Sequence, residues 1–260
     1  MAVDRVVADL TKLRERAPLV HCMTNVVVTG FTANVLLATG ASPAMVEAVE
    51  ESGEFAAIAG ALLVNVGTLT AELAGSMRSA VAAARSAGTP WVLDPVAAGA
   101  LRFRTGFATE LLDYAPAIVR GNGSEILSLA GADGAAGKGV DSTAGSDAAV
   151  DAARALAAAR QCVVAVSGVV DYVTDGAEVI AVPGGHPLMT KVTGVGCALG
   201  ALMAAFRAVD DSALHAAAAA STVLAAAGER AADRVSGPGS FAVALLDELY
   251  TLDAAALEQR

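Results

Sequence analysis

Short, continuously apolar runs alternate with longer stretches of helical period along most of this chain, and no other feature restricts the fold as much. The runs lie at 19–21, 62–65, 91–94, 117–120 and 163–167. They are apolar throughout rather than at every second residue, which is the pattern of strands covered on both faces. Between them, 32–38, 70–87, 106–114, 124–130 and 146–160 read as helices. Strand–helix alternation of this kind predicts a mainly parallel α/β sheet with helices on both sides. A hairpin follows, 171–174 and 178–182 joined by Asp175-Gly176. The C-terminal third, 198–209, 212–234 and 240–250, is helical. Residues 1–16, with Asp4, Arg5, Asp9, Lys12, Arg14, Glu15 and Arg16, predict an amphipathic helix and not a signal peptide. Residues 131–145, rich in Gly, Ala and Ser, are the best candidate for a mobile loop.

Length and composition narrow the function. The 260 residues suit one α/β domain or two small ones. Apolar residues make up 55% and aromatics only 4%, and the surplus is alanine. Alanine-rich helices pack closely but bury little area each, so a large subunit interface would help bury the rest. No apolar run crosses the bilayer length without interruption, so neither a membrane span nor a membrane partner is expected, and the chain is expected in the cytoplasm. The net charge of −10 disfavours nucleic acid, whose backbone calls for a basic face. It leaves a phosphate-bearing cofactor open, because a local anion site with Mg²⁺ can outweigh the global charge. Cys22, Cys162 and Cys197 are too few and too scattered for a disulfide framework or a zinc site.

Polar and glycine residues gather where the strand runs end: His21 to Asn25, Asn65-Val66-Gly67-Thr68, Asp94-Pro95, Arg120-Gly121-Asn122 and Ser167-Gly168. In an open α/β sheet the ligand sits at the carboxyl ends of the strands. Each segment alone is also what an ordinary strand-to-helix turn looks like; five of them at one sheet edge point to a site. A further loop, 184–197, runs through Gly194-Val195-Gly196-Cys197 into an apolar helix. Gly194 and Gly196 allow a tight turn, and the helix start adds unpaired N–H groups and its positive dipole end. That combination reads either as an ordinary tight loop or as an anion hole, commonly for phosphate. The loop fits neither the Rossmann nor the Walker A spacing. Cys197 sits at the mouth and reads either as a base, its pKa lowered toward the thiolate by the helix N-terminus, or as a small residue that merely fits.

Other candidates have two readings. Asn122 followed by Glu125 fits a capping box, and equally a pair holding Mg²⁺ or its waters beside a nucleotide phosphate. Asp94 is either a turn aspartate or a group that helps order Mg²⁺. Arg120 is either half of a surface ion pair or a clamp on an ATP phosphate. His21 is a structural histidine or a base, and Met45 is core or a soft wall for a flat apolar ligand.

Taken together, His21-Cys22-Met23-Thr24-Asn25, Ala41-Ser42-Pro43-Ala44-Met45, Asn65-Val66-Gly67-Thr68, Val92-Leu93-Asp94-Pro95-Val96, Arg120 to Glu125 and the Gly194–Cys197 loop resemble the hydroxyethylthiazole kinase family of thiamine salvage. The motifs fall in the family's order from about His21 to Tyr250. The resemblance implies one ribokinase-like three-layer α/β domain over 1–260 and a homotrimer with active sites between neighbouring subunits. It implies transfer of the ATP γ-phosphoryl group, with Mg²⁺, to the hydroxyl of 5-(2-hydroxyethyl)-4-methylthiazole. It places Met45, Asn25, Gly67 and the Gly194 backbone against the thiazole and Arg120 and Ser167 against ATP. Asp94 and Glu125 fall in the Mg²⁺–phosphate region. Cys197 falls where related sugar kinases carry an aspartate base. One departure is visible: the family loop usually reads Gly-Thr-Gly-Cys, and Val195 here lacks the hydroxyl.

Overall fold

A computed structural model describes residues 3–131 and 147–259. In chain order its elements are α1 (Val3–Arg16), β1 (Leu19–Met23), α2 (Thr29–Thr39), β2 (Ser42–Ala44), α3 (Val49–Ile58), β3 (Ala61–Asn65), α4 (Ala71–Ala87) and β4 (Trp91–Asp94). They continue with α5 (Arg102–Leu111), β5 (Ile118–Asn122), α6 (Gly123–Leu129), α7 (Val150–Arg160), β6 (Val163–Ser167), β7 (Val170–Thr174) and β8 (Val179–Pro183). The last four are α8 (Val195–Arg207), α9 (Ala213–Ala232), α10 (Pro238–Thr251) and α11 (Ala254–Glu258).

The strands form one eight-stranded sheet in the order β2-β1-β3-β4-β5-β6-β7-β8. Pairing is parallel from β2 through β6, with Leu63 opposite Val92 and Val119 opposite Val164. The expected hairpin closes the far edge: β7 runs antiparallel to both β6 and β8. Alternate residues of each strand feed two cores. On one face Cys22, Leu63, Val92, Ile118 and Ala165 pack with α1, α2, α8, α9 and α10. On the other, Leu62, Val64, Leu93, Val119 and Val164 pack with the helices from α3 to α7. The alanine surplus is spent on the first face, where Ala201, Ala204, Ala205 and Ala216 through Ala220 are buried. Small side chains let α8 and α9 approach the sheet and each other closely.

Three elements differ from the sequence reading. The segment 41–45 contains a short edge strand, β2, that pairs with β1 through Leu19–Ser42 and His21–Ala44. Pro43 is compatible with it because an edge strand can spare an N–H. Helix α3 has no counterpart in the expectation; Gly53 interrupts its pattern, and its Cβ-less backbone sits against Ser79 of α4. Helix α8 begins at Val195 rather than 198, so Cys197 lies inside its first turn. Most of the expected mobile loop at 131–145 lies outside the described residues. Among the described residues, no helix is long and apolar enough to cross a membrane.

Candidate active site

The parallel strands deliver polar residues to one edge, and these form a continuous chain of contacts. Asn25 follows β1 and donates from Nδ2 to Asn65 Oδ1 at 3.0 Å and to Cys197 Sγ at 3.4 Å. Asn65, the last residue of β3, accepts also from the Gly67 N–H at 2.9 Å and donates to Asp94 Oδ2 at 2.7 Å. Asp94, the last residue of β4, faces Arg120 Nη1 at 3.7 Å. Arg120 of β5 then donates from Nε and Nη2 to Ser167 Oγ at 3.1 and 3.0 Å. Neighbouring parallel strands end in step, so a polar residue at each end meets the next one sideways. Asn25, Gly67, Cys197, Asp94, Arg120 and Ser167, all expected site residues, are thus in one network. Asn65, which links them, was legible only as part of a polar turn.

Two glycines hold the start of α8 against this network. Gly194 has φ +98°, and a Cβ there would meet Val28 Cγ1 at 2.8 Å and Phe31 Cδ1 at 3.1 Å. Gly196 lies over the Arg120 guanidinium, where a Cβ would stand 3.1 Å from Nη2. No side chain caps the helix start. Its first-turn N–H groups are left to a ligand or water, beside the one guanidinium of the network.

A cleft of about 860 Å³ opens from Arg120, Ser167, Val195 and Gly196. Its other walls are mostly apolar, with Val169, Val182, Leu199 and Leu224, and His186 and Asp171 at its margins. The lining joins a guanidinium and polar groups to apolar side chains, a mix that suits a ligand with both polar and apolar parts. Asn25, Gly67 and Met45 do not line this cleft among the described residues. Met45 follows β2, half-buried against the α2–α8 side of the core. Its neighbour Val46 is fastened by its carbonyl, which accepts from His21 Nε2 at 2.8 Å.

The electrostatics separate the acids. Burial pushes Asp94 up to about 7; Arg120 and Asn65 oppose the shift and Glu125 adds to it. Burial also works against the charge of Arg120, but Asp94, Glu125, Cys197 and Asp171 together outweigh it and hold the guanidinium protonated. The desolvation of Asp94 therefore exceeds what an arginine at 3.7 Å returns. Among the described residues, Asp94 Oδ1 is buried with no hydrogen-bond partner. Asn122 and Glu125 do form a capping box at the start of α6. Glu125 goes further: Oε1 accepts from the Ala97 N–H at 2.9 Å and Oε2 from the Asn122 N–H at 2.8 Å. It ties the turn after Asp94 to the end of β5, and burial raises its pKa despite those two bonds.

The expected thiolate at Cys197 is corrected. Burial raises this thiol to about 11, Asp94 pushes the same way, and Arg120 and the Asn65 and Asn25 amides only partly oppose them. A desolvated sulfur loses more than the helix start returns, so the free site holds a neutral thiol at pH 7.

The Hydroxyethylthiazole kinase family model matches residues 10–255. The chain belongs to the hydroxyethylthiazole kinase family. A hydroxyethylthiazole kinase of Leptospira borgpetersenii is 57% identical over 247 residues, 95% of this chain and 93% of the relative. The structure of the hydroxyethylthiazole kinase protein of Pyrococcus horikoshii superposes with a TM-score of 0.91 at 40% identity, over 99% of this chain and 97% of that one. A ribokinase-like superfamily protein of Enterococcus faecalis, 12% identical, covers 98% of this chain and 96% of its own with a TM-score of 0.66. That likeness shows the α/β fold to be ribokinase-like, as the motifs implied.

Proposed function

We propose that the chain transfers the γ-phosphoryl group of ATP to the hydroxyl of 5-(2-hydroxyethyl)-4-methylthiazole. The observation that carries this reading is the unbroken contact path from Asn25 and Gly67, through Asn65 and Asp94, to Arg120 and Ser167 at the mouth of the cleft. An alcohol beside Asn25 and a nucleotide in the cleft would meet at Asp94 and Arg120. Phosphoryl transfer asks little covalent chemistry of a protein; it asks for in-line placement and for charge to be met as it moves. Arg120 and the first-turn N–H groups of α8 supply that charge. Ser167 fixes the plane of the guanidinium. Gly194 backbone, Gly67 and Met45 shape the thiazole side, and Asn122 and Glu125 support the phosphate side.

Mg²⁺ fits this site. Asp94 Oδ1 is a buried oxygen without a partner among the described residues, and Mg²⁺ commonly takes one or two carboxylates with phosphate oxygens and water. Asp94 would hold the ion and Glu125 a water in its shell. The ion neutralises charge on the phosphate oxygens when bound. Among the described residues no group of three His, Cys, Asp or Glu side chains could bind a metal alone, so the phosphates would complete the ligand set.

Cys197, a neutral thiol in the free site, is read as the small residue that keeps the alcohol close, and the alcohol's proton would pass late, in a loose transition state, to an oxygen of the transferred phosphoryl group. We also read the chain as a cytoplasmic homotrimer. Val26 and Val27, directly after Asn25, expose 69% and 66% of their surface. Apolar surface beside a half-built alcohol site supports a neighbouring subunit there.

A rival alcohol, hydroxymethylpyrimidine or pyridoxal, would meet a less polar site than its ring asks for. An ATP-dependent dehydratase of the same fold would want an acid at position 197. The test is ADP release from Mg-ATP with each of the three alcohols in turn. Release stimulated by the thiazole alone is expected; equal stimulation by pyridoxal or the pyrimidine would overturn the substrate assignment.

A further inference from the structure

The alcohol side and the phosphate side of the site meet in a single amide. Asn65 is completely buried at the end of β3. Its Oδ1 accepts from the Gly67 N–H and from Asn25 Nδ2, and its Nδ2 donates to Asp94 Oδ2. A backbone N–H can only donate, so Gly67 dictates which way round the Asn65 amide stands. That orientation in turn dictates Asn25. With Oδ1 of Asn65 facing it, Asn25 must present its NH₂ group inward, to Asn65 and Cys197. Among the described residues nothing donates to Asn25 Oδ1, which is left to face a ligand. Gly67 has no room for a side chain to interfere: a Cβ would stand 2.8 Å from Asn25 Nδ2 and 2.9 Å from Asn65 Oδ1.

We infer that Asn65 is a positioning residue: it fixes Asn25 as the hydrogen-bond acceptor for the substrate hydroxyl and holds the Asp94 carboxylate in place for the phosphoryl group. The inference rests on the kinase reading above. It assigns two separable jobs to the two ends of one side chain. The oxygen sets how the alcohol binds, and the nitrogen sets how the phosphate side is arranged.

Two variants separate these jobs. Asn65→Asp keeps the acceptor for Gly67 and Asn25 but turns an oxygen toward Asp94. It is expected to leave KM for the thiazole alcohol within about 3-fold of wild type while kcat falls about 10-fold or more. Asn65→Leu removes both ends. It is expected to raise KM for the alcohol about 10-fold and lower kcat as well. Both should bind ATP, measured by equilibrium titration, within about 3-fold of wild type, because Arg120 and Ser167 are untouched. Loss of KM, kcat and ATP affinity in parallel, tracking a lowered melting temperature, would mean a merely structural role and would overturn the inference. So would Asn65→Asp with undiminished kcat, an arm that decides the matter even if Asn65→Leu fails to fold. Failure of the kinase reading looks different. Wild type would then phosphorylate no alcohol at all, which overturns the inference together with that reading, whereas a wild type that phosphorylates another alcohol leaves the kinase reading standing and the same split, read with that alcohol, decides the role of Asn65.

Discussion

At the scale of single residues, burial sets the chemistry more strongly than charge does. Asp94 stays near 7 with an arginine 3.7 Å away, and Cys197 stays near 11 at the start of a helix. A thiol so high contributes little as a base at neutral pH. Cys197→Ala is therefore expected to keep kcat within about 10-fold of wild type, whereas loss of a true general base costs about 100-fold or more. A steady-state assay decides between them. His21 is a second case. Its Nε2 is committed to the Val46 carbonyl, its ring stands edge-on to Phe55 with centroids 5.1 Å apart, and its Nδ1 is buried without a partner among the described residues. Protonation would create a buried donor with no acceptor, and burial lowers its pKa from 6.5 although the Val46 bond opposes this. The unfolded chain then takes up the proton first. The stability from His21 is full above pH 6.5 and is lost as pH falls toward the lowered folded value. His21→Gln should show a shallower loss of melting temperature than wild type between about pH 7 and pH 5. An identical slope in the two proteins would contradict this.

At the scale of elements, the start of α8 is the part that most depends on backbone shape. Gly194 combines a positive φ with a packed environment, whereas Gly88, after α4, has φ +75° and open space around it. Gly88→Ala should cost only the left-handed conformation, about 1–2 kcal/mol. Gly194→Ala should cost more, through Val28 and Phe31, and should also lower kcat by shifting the first turn of α8. Thermal melting and turnover of the two variants side by side test this; equal effects on both would count against it. The same element shows what sequence could reveal. The alternation of buried strands and helices was legible because each strand is apolar on both faces, and the hairpin was legible from Asp175-Gly176. The polar strand ends were legible as a group. Helix α3 was not, since Gly53 and three glutamates, Glu50, Glu51 and Glu54, blur its period. The role of Asn65 was not either, because it depends on strands aligning in register, which no local pattern records. The Cys197 shift was missed for a related reason. Helix position is written in the sequence, but the depth of burial is not.

At the scale of the whole molecule, one sheet edge gathers residues from four strands, the turn after β1 and one helix start into a network, with the exposed Val26 and Val27 on its flank. If that flank is a subunit contact, light scattering should give about three times the 25.7 kDa chain mass. Charged substitutions at Val26 and Val27 should then dissociate the protein and raise KM for the alcohol more than KM for ATP. A monomeric wild type with full activity would contradict that arrangement. The central claim, however, is the reaction. Its most direct test is to incubate the purified protein with Mg-ATP and 5-(2-hydroxyethyl)-4-methylthiazole and identify the products by phosphorus NMR and mass spectrometry. The account predicts ADP and the thiazole alcohol monophosphate in equal amounts. ADP and inorganic phosphate with the alcohol unchanged, or no consumption of ATP, would contradict it.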